Sequence, residues 1–104
     1  MAMTLPQVLD EAITVLEHDP KLWTQHGYAH DQLGLAVDPR DPSAVCWCII
    51  GYMSKISEIT PLDIERQLPA SSSLISANDN AEDLVEAVRK FRQIQSDPKK
   101  YAEL

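Results

Sequence analysis

The stretch Asp41-Pro42-Ser43-Ala44-Val45-Cys46-Trp47-Cys48-Ile49-Ile50-Gly51-Tyr52-Met53 decides how the rest of this chain is read. Its core, from Val45 to Met53, is apolar nearly all round, the pattern of a central buried helix. The reading places that helix from 41 or 43 to about 57, with Pro42 in the first turn, where its missing N–H costs nothing. Gly51 inside it lowers helix propensity by about 1 kcal/mol, so the expected return is close approach of another element. The run is far shorter than the ~20 apolar residues that span a bilayer.

Outward toward the N-terminus, Leu5, Val8, Leu9, Ala12, Ile13 and Leu16 recur at three- and four-residue steps and predict an amphipathic helix over Leu5 to His18. Thr4 and Gln7 have the spacing of a capping box, and Asp19-Pro20 stops the helix. Residues 20–42 lack helical spacing. Asp31-Gln32-Leu33-Gly34 reads as a turn and Leu35-Ala36-Val37 as a returning strand, giving a small β-hairpin that must pack on the helices.

Outward toward the C-terminus, Thr60-Pro61-Leu62-Asp63 opens a short helix that ends before Pro69. Ala70 to Ser73 reads as a connector, after which Leu74-Ile75 dips into the core. Asn78-Asp79-Asn80 reads as the cap of a last helix with the apolar stripe Ala81, Leu84, Val85, Val88, Phe91 and Ile94. Its acids precede its bases, the order the helix dipole prefers. Asp97-Pro98 ends it, leaving a tail, 97–104, with at most one more turn. The expected architecture is one mainly α domain, its core over about 4–96, with about four helices and a short β-hairpin between the first two.

The 104 residues carry a net charge of −7, and all of it falls on residues 1–65, which hold ten acids and three bases. Such a balance opposes phosphate backbones, so direct nucleic-acid binding is not expected. The acids either keep a small domain soluble or form a surface for a basic protein partner. The opening Met-Ala-Met-Thr-Leu-Pro lacks the basic start and apolar core of a signal peptide, and no membrane association is expected. Two buried thiols suit a reducing compartment, so the expected location is the cytoplasm.

Residues that carry chemistry are present but scattered. Cys48, or Cys46, with His18, His26 or His30 and with Asn78 or Asp79 supplies the residue types of a cysteine-hydrolase triad. Within a helix both thiols would lie beyond the first turn, and C-x-C would point them roughly 200° apart, against a mutual bridge or a shared metal. His26 and His30 are four apart, but no C-x-x-C or H-E-x-x-H occurs. Asn78-Asp79-Asn80-Ala81-Glu82 lacks the glycine and glutamate of a calcium loop. The three glycines, at 27, 34 and 51, are too dispersed for a phosphate loop. No cofactor or metal is expected. Trp23, Tyr28 and Trp47 read as packing residues or, beside acids such as Asp31 and Asp79, as an interaction surface with Asn78.

Trp23-Thr24-Gln25, Tyr28-Ala29, Asp31, Gly34, Val37-Asp38-Pro39, the string Ala44-Val45-Cys46-Trp47-Cys48-Ile49-Ile50-Gly51 and the later Asn78-Asp79 together resemble a family of small bacterial, notably actinobacterial, and phage proteins of unknown function. That family's pattern runs Trp…Tyr-Ala…Asp-Pro…Ala-Val-x-x-Cys-x-x-Gly…Asn-Asp, and the likeness covers roughly residues 5–95. Cys48 and Gly51 fall on its cysteine and glycine, whereas the aromatic of its Trp-Asn-Asp string is missing before Asn78. The resemblance implies a fold and no activity.

The leading expectation is a non-enzymatic protein-interaction or regulatory module, such as a mobile-element inhibitor, docking on a basic protein through its acidic first half. Evenly dispersed surface charge with no aromatic patch would remove the motive for it. The alternative is a small thiol hydrolase using Cys48, a histidine and Asn78 or Asp79. A homodimer hiding an apolar face is a third reading. The place where a site would assemble is the meeting of the Cys48 helix, the Trp23–His30 segment and Asn78-Asp79.

Overall fold

A computed structural model describes residues 3–96. Helix α1 (Leu5–His18) begins with the expected capping box: Thr4 Oγ accepts from the Gln7 N–H at 3.3 Å, and Gln7 Oε1 accepts from the Thr4 N–H at 2.9 Å. Val8, Leu9, Ala12, Ile13 and Leu16 form its buried stripe. Pro20 then opens a single 3-10 turn, Pro20–Leu22.

The β element lies between α1 and the next helix, as expected, but its pairing differs. Strand β1 (Ala29–His30) pairs antiparallel with β2 (Cys46–Trp47), Ala29 opposite Trp47 and His30 opposite Cys46. The expected turn at 31–34 exists: Gly34 sits at φ +81°, its N–H donates to Asp31 O at 3.0 Å, and Asp31 Oδ1 accepts from the Leu33 and Leu35 N–H groups. The returning segment makes only one bridge, His30 with Ala36, and Trp23 bridges Trp47 in parallel on the other strand.

The central helix is therefore shorter than its apolar run suggests. Helix α2 spans Ile49–Ser57, and Cys48 is its N-cap. Asp41-Pro42-Ser43 forms a turn, with Asp41 Oδ1 accepting from the Ser43 N–H at 2.8 Å, and Val45-Cys46-Trp47 is extended. A short continuous apolar run cannot distinguish strand from helix by periodicity, and here sheet pairing decided it. Helix α3 (Pro61–Gln67) is capped by Thr60 as expected.

A second correction concerns 71–80. The expected connector is a helix, α4 (Ser71–Asn80), so Asn78-Asp79-Asn80 closes one helix rather than capping the next. Asp83 caps α5 (Leu84–Gln95), its side chain accepting from the Glu86 N–H at 2.9 Å. Five α-helices thus stand among the described residues. The turn expected in 97–104 lies outside them.

Helix α1 packs on α2 and α5, and α4 packs on α5 and α2, closing a four-helix ring with α3 beside α2. Leu9, Ile13, Leu16, Ile49, Ile50, Met53, Leu74 and Phe91 fill its centre, each essentially without exposure. Among the described residues no helix is long and apolar enough to cross a membrane.

Candidate functional site

Three chain segments converge on one side chain. Asn78, in the last turn of α4, is 1% exposed and uses its whole amide. Its Oδ1 accepts from Trp23 Nε1 at 2.8 Å and from the Ile49 N–H at 3.0 Å. Its Nδ2 donates to Thr24 O at 3.1 Å and to Asp79 Oδ1 at 3.0 Å. Two acceptor and two donor valences are thereby filled, the most an asparagine offers.

These bonds fall where helices leave backbone groups unpaired. The Ile49 N–H belongs to the first turn of α2, and the Gly51 N–H of that turn donates to Cys48 Sγ at 3.3 Å. At the other end, Gln25 Nε2 donates toward the carbonyls of Asn78, at 3.0 Å, and Ala81, at 2.8 Å, where α4 has no further turn to supply donors. Asp79 Oδ1 accepts from the His26 N–H at 3.0 Å, holding His26 in the left-handed region at φ +63°. Glycine is the residue of choice at such a φ, and a histidine there needs a partner that fixes it.

Helix α2 meets β1 backbone to backbone. The Cys48 N–H donates to Tyr28 O at 3.1 Å. A Cβ on Gly51 would lie 1.8 Å from that same oxygen, which no packing accommodates. The close approach expected of Gly51 is this contact.

The convergence leaves a cleft of about 330 Å³ lined by Gly27, Tyr28, Cys48, Glu65, Ile75, Asn78 and Asp79. Tyr28 is exposed at 38%, and its hydroxyl donates to the Glu65 carboxylate across the mouth. That bond, with partial burial, pushes the Tyr28 phenol up to about 12, so it stays a proton donor. Among the described residues no lysine or arginine lines the cleft.

Cys48 sits at a helix N-terminus, where a thiolate is ordinarily favoured, rather than beyond the first turn as expected. Burial outweighs that advantage and the bond from the Gly51 N–H, and pushes the thiol up to about 11. Among the described residues no histidine is hydrogen-bonded to its sulfur. His30 Nδ1 pairs instead with Thr24 Oγ1 at 3.0 Å, and its ring lies beneath Gly27. The residue types of a triad meet here, but without the nucleophile–base contact that thiol catalysis uses. No group of three or more His, Cys, Asp or Glu among the described residues could hold a metal ion.

Of the residues singled out from sequence, Tyr28, Cys48, Asn78 and Asp79 share the cleft, and Trp23 and His26 attach to its frame. Asp31 is engaged in its turn, away from the lining. Trp47 is buried in β2: its Nε1 donates to Pro39 O at 2.9 Å, its ring meets Tyr52 edge-on, and Lys55 lies over it at 5.3 Å. Sequence reasoning missed Gln25, Glu65 and Ile75. Gln25 stands within the Trp-Thr-Gln string, but nothing in the local pattern of Glu65 marks it out from a solvated helix face.

The first-half acids are divided among α1, the 31–41 loop and the α2–α3 region, and bases pair with Asp10, Asp19, Asp38 and Asp63. No family model, curated protein or solved structure matches this chain.

Proposed function

We propose that this protein is a non-enzymatic binding module that docks on a basic surface of another protein, with the Tyr28–Glu65–Asp79 cleft as its contact. One observation carries the reading: two carboxylates and an exposed tyrosine line a single cleft to which no described basic side chain contributes. Carboxylates in a recess, where water screens them less than on open surface, favour an incoming ammonium or guanidinium. A tyrosine beside them adds a large, rigid contact area, the kind that dominates protein interfaces. The thiol-enzyme alternative has its residues in the same place but lacks support from the Cys48 surroundings, which favour the protonated sulfur.

The test is a titration of isotope-labelled protein with a short lysine-rich peptide and with an aspartate-rich one of equal length, followed by amide shifts. The lysine-rich peptide is expected to move Gly27, Tyr28 and Glu65, and to lose its effect in high salt. Glu65→Gln, which keeps an acceptor for Tyr28, should weaken it by about three- to tenfold. Equal binding by wild type and Glu65→Gln would sink the reading.

A further inference from the structure

A second recess lies at the other junction of the ring, where the end of α1 and Pro20 face the first turn of α5. It measures about 350 Å³ and is lined by Glu17, Pro20, Asp83, Leu84, Val85 and Val88. Leu84 and Val88 are nearly buried and form its floor, while Val85 stands 79% exposed at its edge. Val85 occupies the outer face of a helix whose other exposed positions are polar, so it extends the apolar surface of the recess into solvent.

We infer that this groove receives one bulky apolar side chain of the protein partner, presented between lysines or arginines. The shape argues for an anchor: a floor of Leu84 and Val88 with walls of Pro20 and Val85 removes water from a leucine- or phenylalanine-sized group, which is how interface anchors contribute most. The charge argues for what flanks it. Glu17 and Asp83 form the rim, Glu82 precedes the Asp83 cap, Glu86 lies in the first turn of α5, and among the described residues no base lines the groove. Of the bases near it in sequence, Lys21 pairs with Asp19 and Lys90 with Glu86, while Arg89 stands exposed on α5 one turn beyond Val85. A second copy fits poorly, because groove-to-groove contact sets Glu17 and Asp83 of two chains, each at −7, against one another. Anionic lipid and nucleic acid are repelled by the same rim. This inference rests on the reading of a basic protein partner but on different residues from those of the Tyr28 cleft.

The experiment is an amide-shift titration of the labelled full chain with two capped lysine-arginine peptides, one with a single central leucine and one with serine there. The leucine peptide is expected to bind about tenfold more tightly and to move Glu17, Leu84, Val85 and Val88. Val85→Lys should remove that tenfold preference, and Val85→Thr should reduce it. Both Val85 substitutions fall on exposed surface, and their own amide spectra report that they fold. Equal affinity for the two peptides overturns the inference. So do shifts confined to Gly27, Tyr28 and Glu65, although that result leaves the proposed function standing. Shifts in the groove with none at the cleft support the inference and remove the Tyr28 cleft from the proposed function. Concentration-dependent groove shifts without peptide overturn it in favour of a second copy.

Discussion

Along the α1–α5 contact, Val8, Leu9, Ala12, Ile13 and Leu16 bury against Leu84, Ala87, Val88 and Phe91, and the polar links are confined to the surface. There Arg92 reaches Asp10 at 2.7 Å and Thr14 at 3.3 Å, and Gln95 reaches Asp10 at 3.0 Å. At the far side of the ring, around Asn78, the order is inverted. A buried amide binds backbone from two other segments, and hydrophobic side chains surround it rather than make the join. Apolar packing is non-directional and tolerates replacements of similar volume. The Asn78 contacts are directional, and they fix where α2 begins, where α4 ends and how Trp23 to His26 crosses both. One region supplies cohesion, and the other supplies placement.

The largest expected effect comes from Asn78→Leu. Leucine has the branching and heavy-atom count of asparagine without its polar groups, and would suit a site that only needed filling. If the knot works as described, the substitution leaves the buried Ile49 N–H and the half-buried Trp23 indole N–H and Thr24 carbonyl without their Asn78 partner. Each orphan costs about 1–3 kcal/mol, so a loss of about 4 kcal/mol is expected in urea unfolding. A loss below that of Phe91→Ala, which should fall at about 3–5 kcal/mol, would break the contrast between the two regions.

Next in size is Gly51→Ala. On an exposed helix face this change would stabilise by removing the freedom of glycine. Here the added methyl meets Tyr28 O at 1.8 Å, so α2 and β1 must separate and the Cys48 N–H loses its acceptor. The expected cost is about 3 kcal/mol, with the Tyr28 and Cys48 amides the first to lose protection from hydrogen exchange. A neutral or stabilising result would mean that the sheet and helix are not held at this distance.

The same contrast explains what the chain reveals of itself before folding. Helix α1, the Thr60 cap and the Gly51 contact were legible because apolar spacing and cap residues carry them. Helix α4 was not, because the face it buries, Ser71, Leu74, Ala77 and Asn78, has helical spacing but is half polar. A hydrophobic periodicity cannot register a serine and an asparagine that are buried. Strand β2 was hidden for the opposite reason, since Val45-Cys46-Trp47 continues without a break into the apolar start of α2. The convergence of Cys48, the 23–30 segment and Asn78-Asp79 was legible as a place, whereas Glu65 and Gln25 reach it only through tertiary packing.

A smaller effect should appear with pH. The native state keeps the Cys48 proton up to about 11, while the unfolded chain releases it near the ordinary value of 9.0. A raised native value means that the stability is whole below pH 9 and falls as pH climbs through 11, because only the unfolded state gains by ionising. Across that window about 2 kcal/mol should be lost, and Cys48→Ala should flatten this part of the slope. Tyr28, raised to about 12 by Glu65, adds a decline of the same sign starting near pH 10, which Tyr28→Phe removes. Native protein should also resist iodoacetamide at Cys48 at neutral pH, and rapid labelling there would contradict the protonated, buried thiol.

The smallest effect is reserved for the one place where the apolar region looks polar. Asp10 lies on the surface, and its carboxyl is held below the usual range by hydrogen bonds from Gln95 and Arg92. Two side chains converge on it, and Asp79 likewise accepts from two groups. Yet each end of the clasp is open to water, where ion pairs gain little over hydration and are screened by salt. Asp10→Asn should therefore leave the urea midpoint unchanged at physiological ionic strength, because the Leu9, Ile13 and Phe91 packing beneath it already joins the helices. A clear drop in the midpoint that vanishes in high salt would show that α1 and α5 depend on placement as well as cohesion, and the division between the two regions would have to be redrawn.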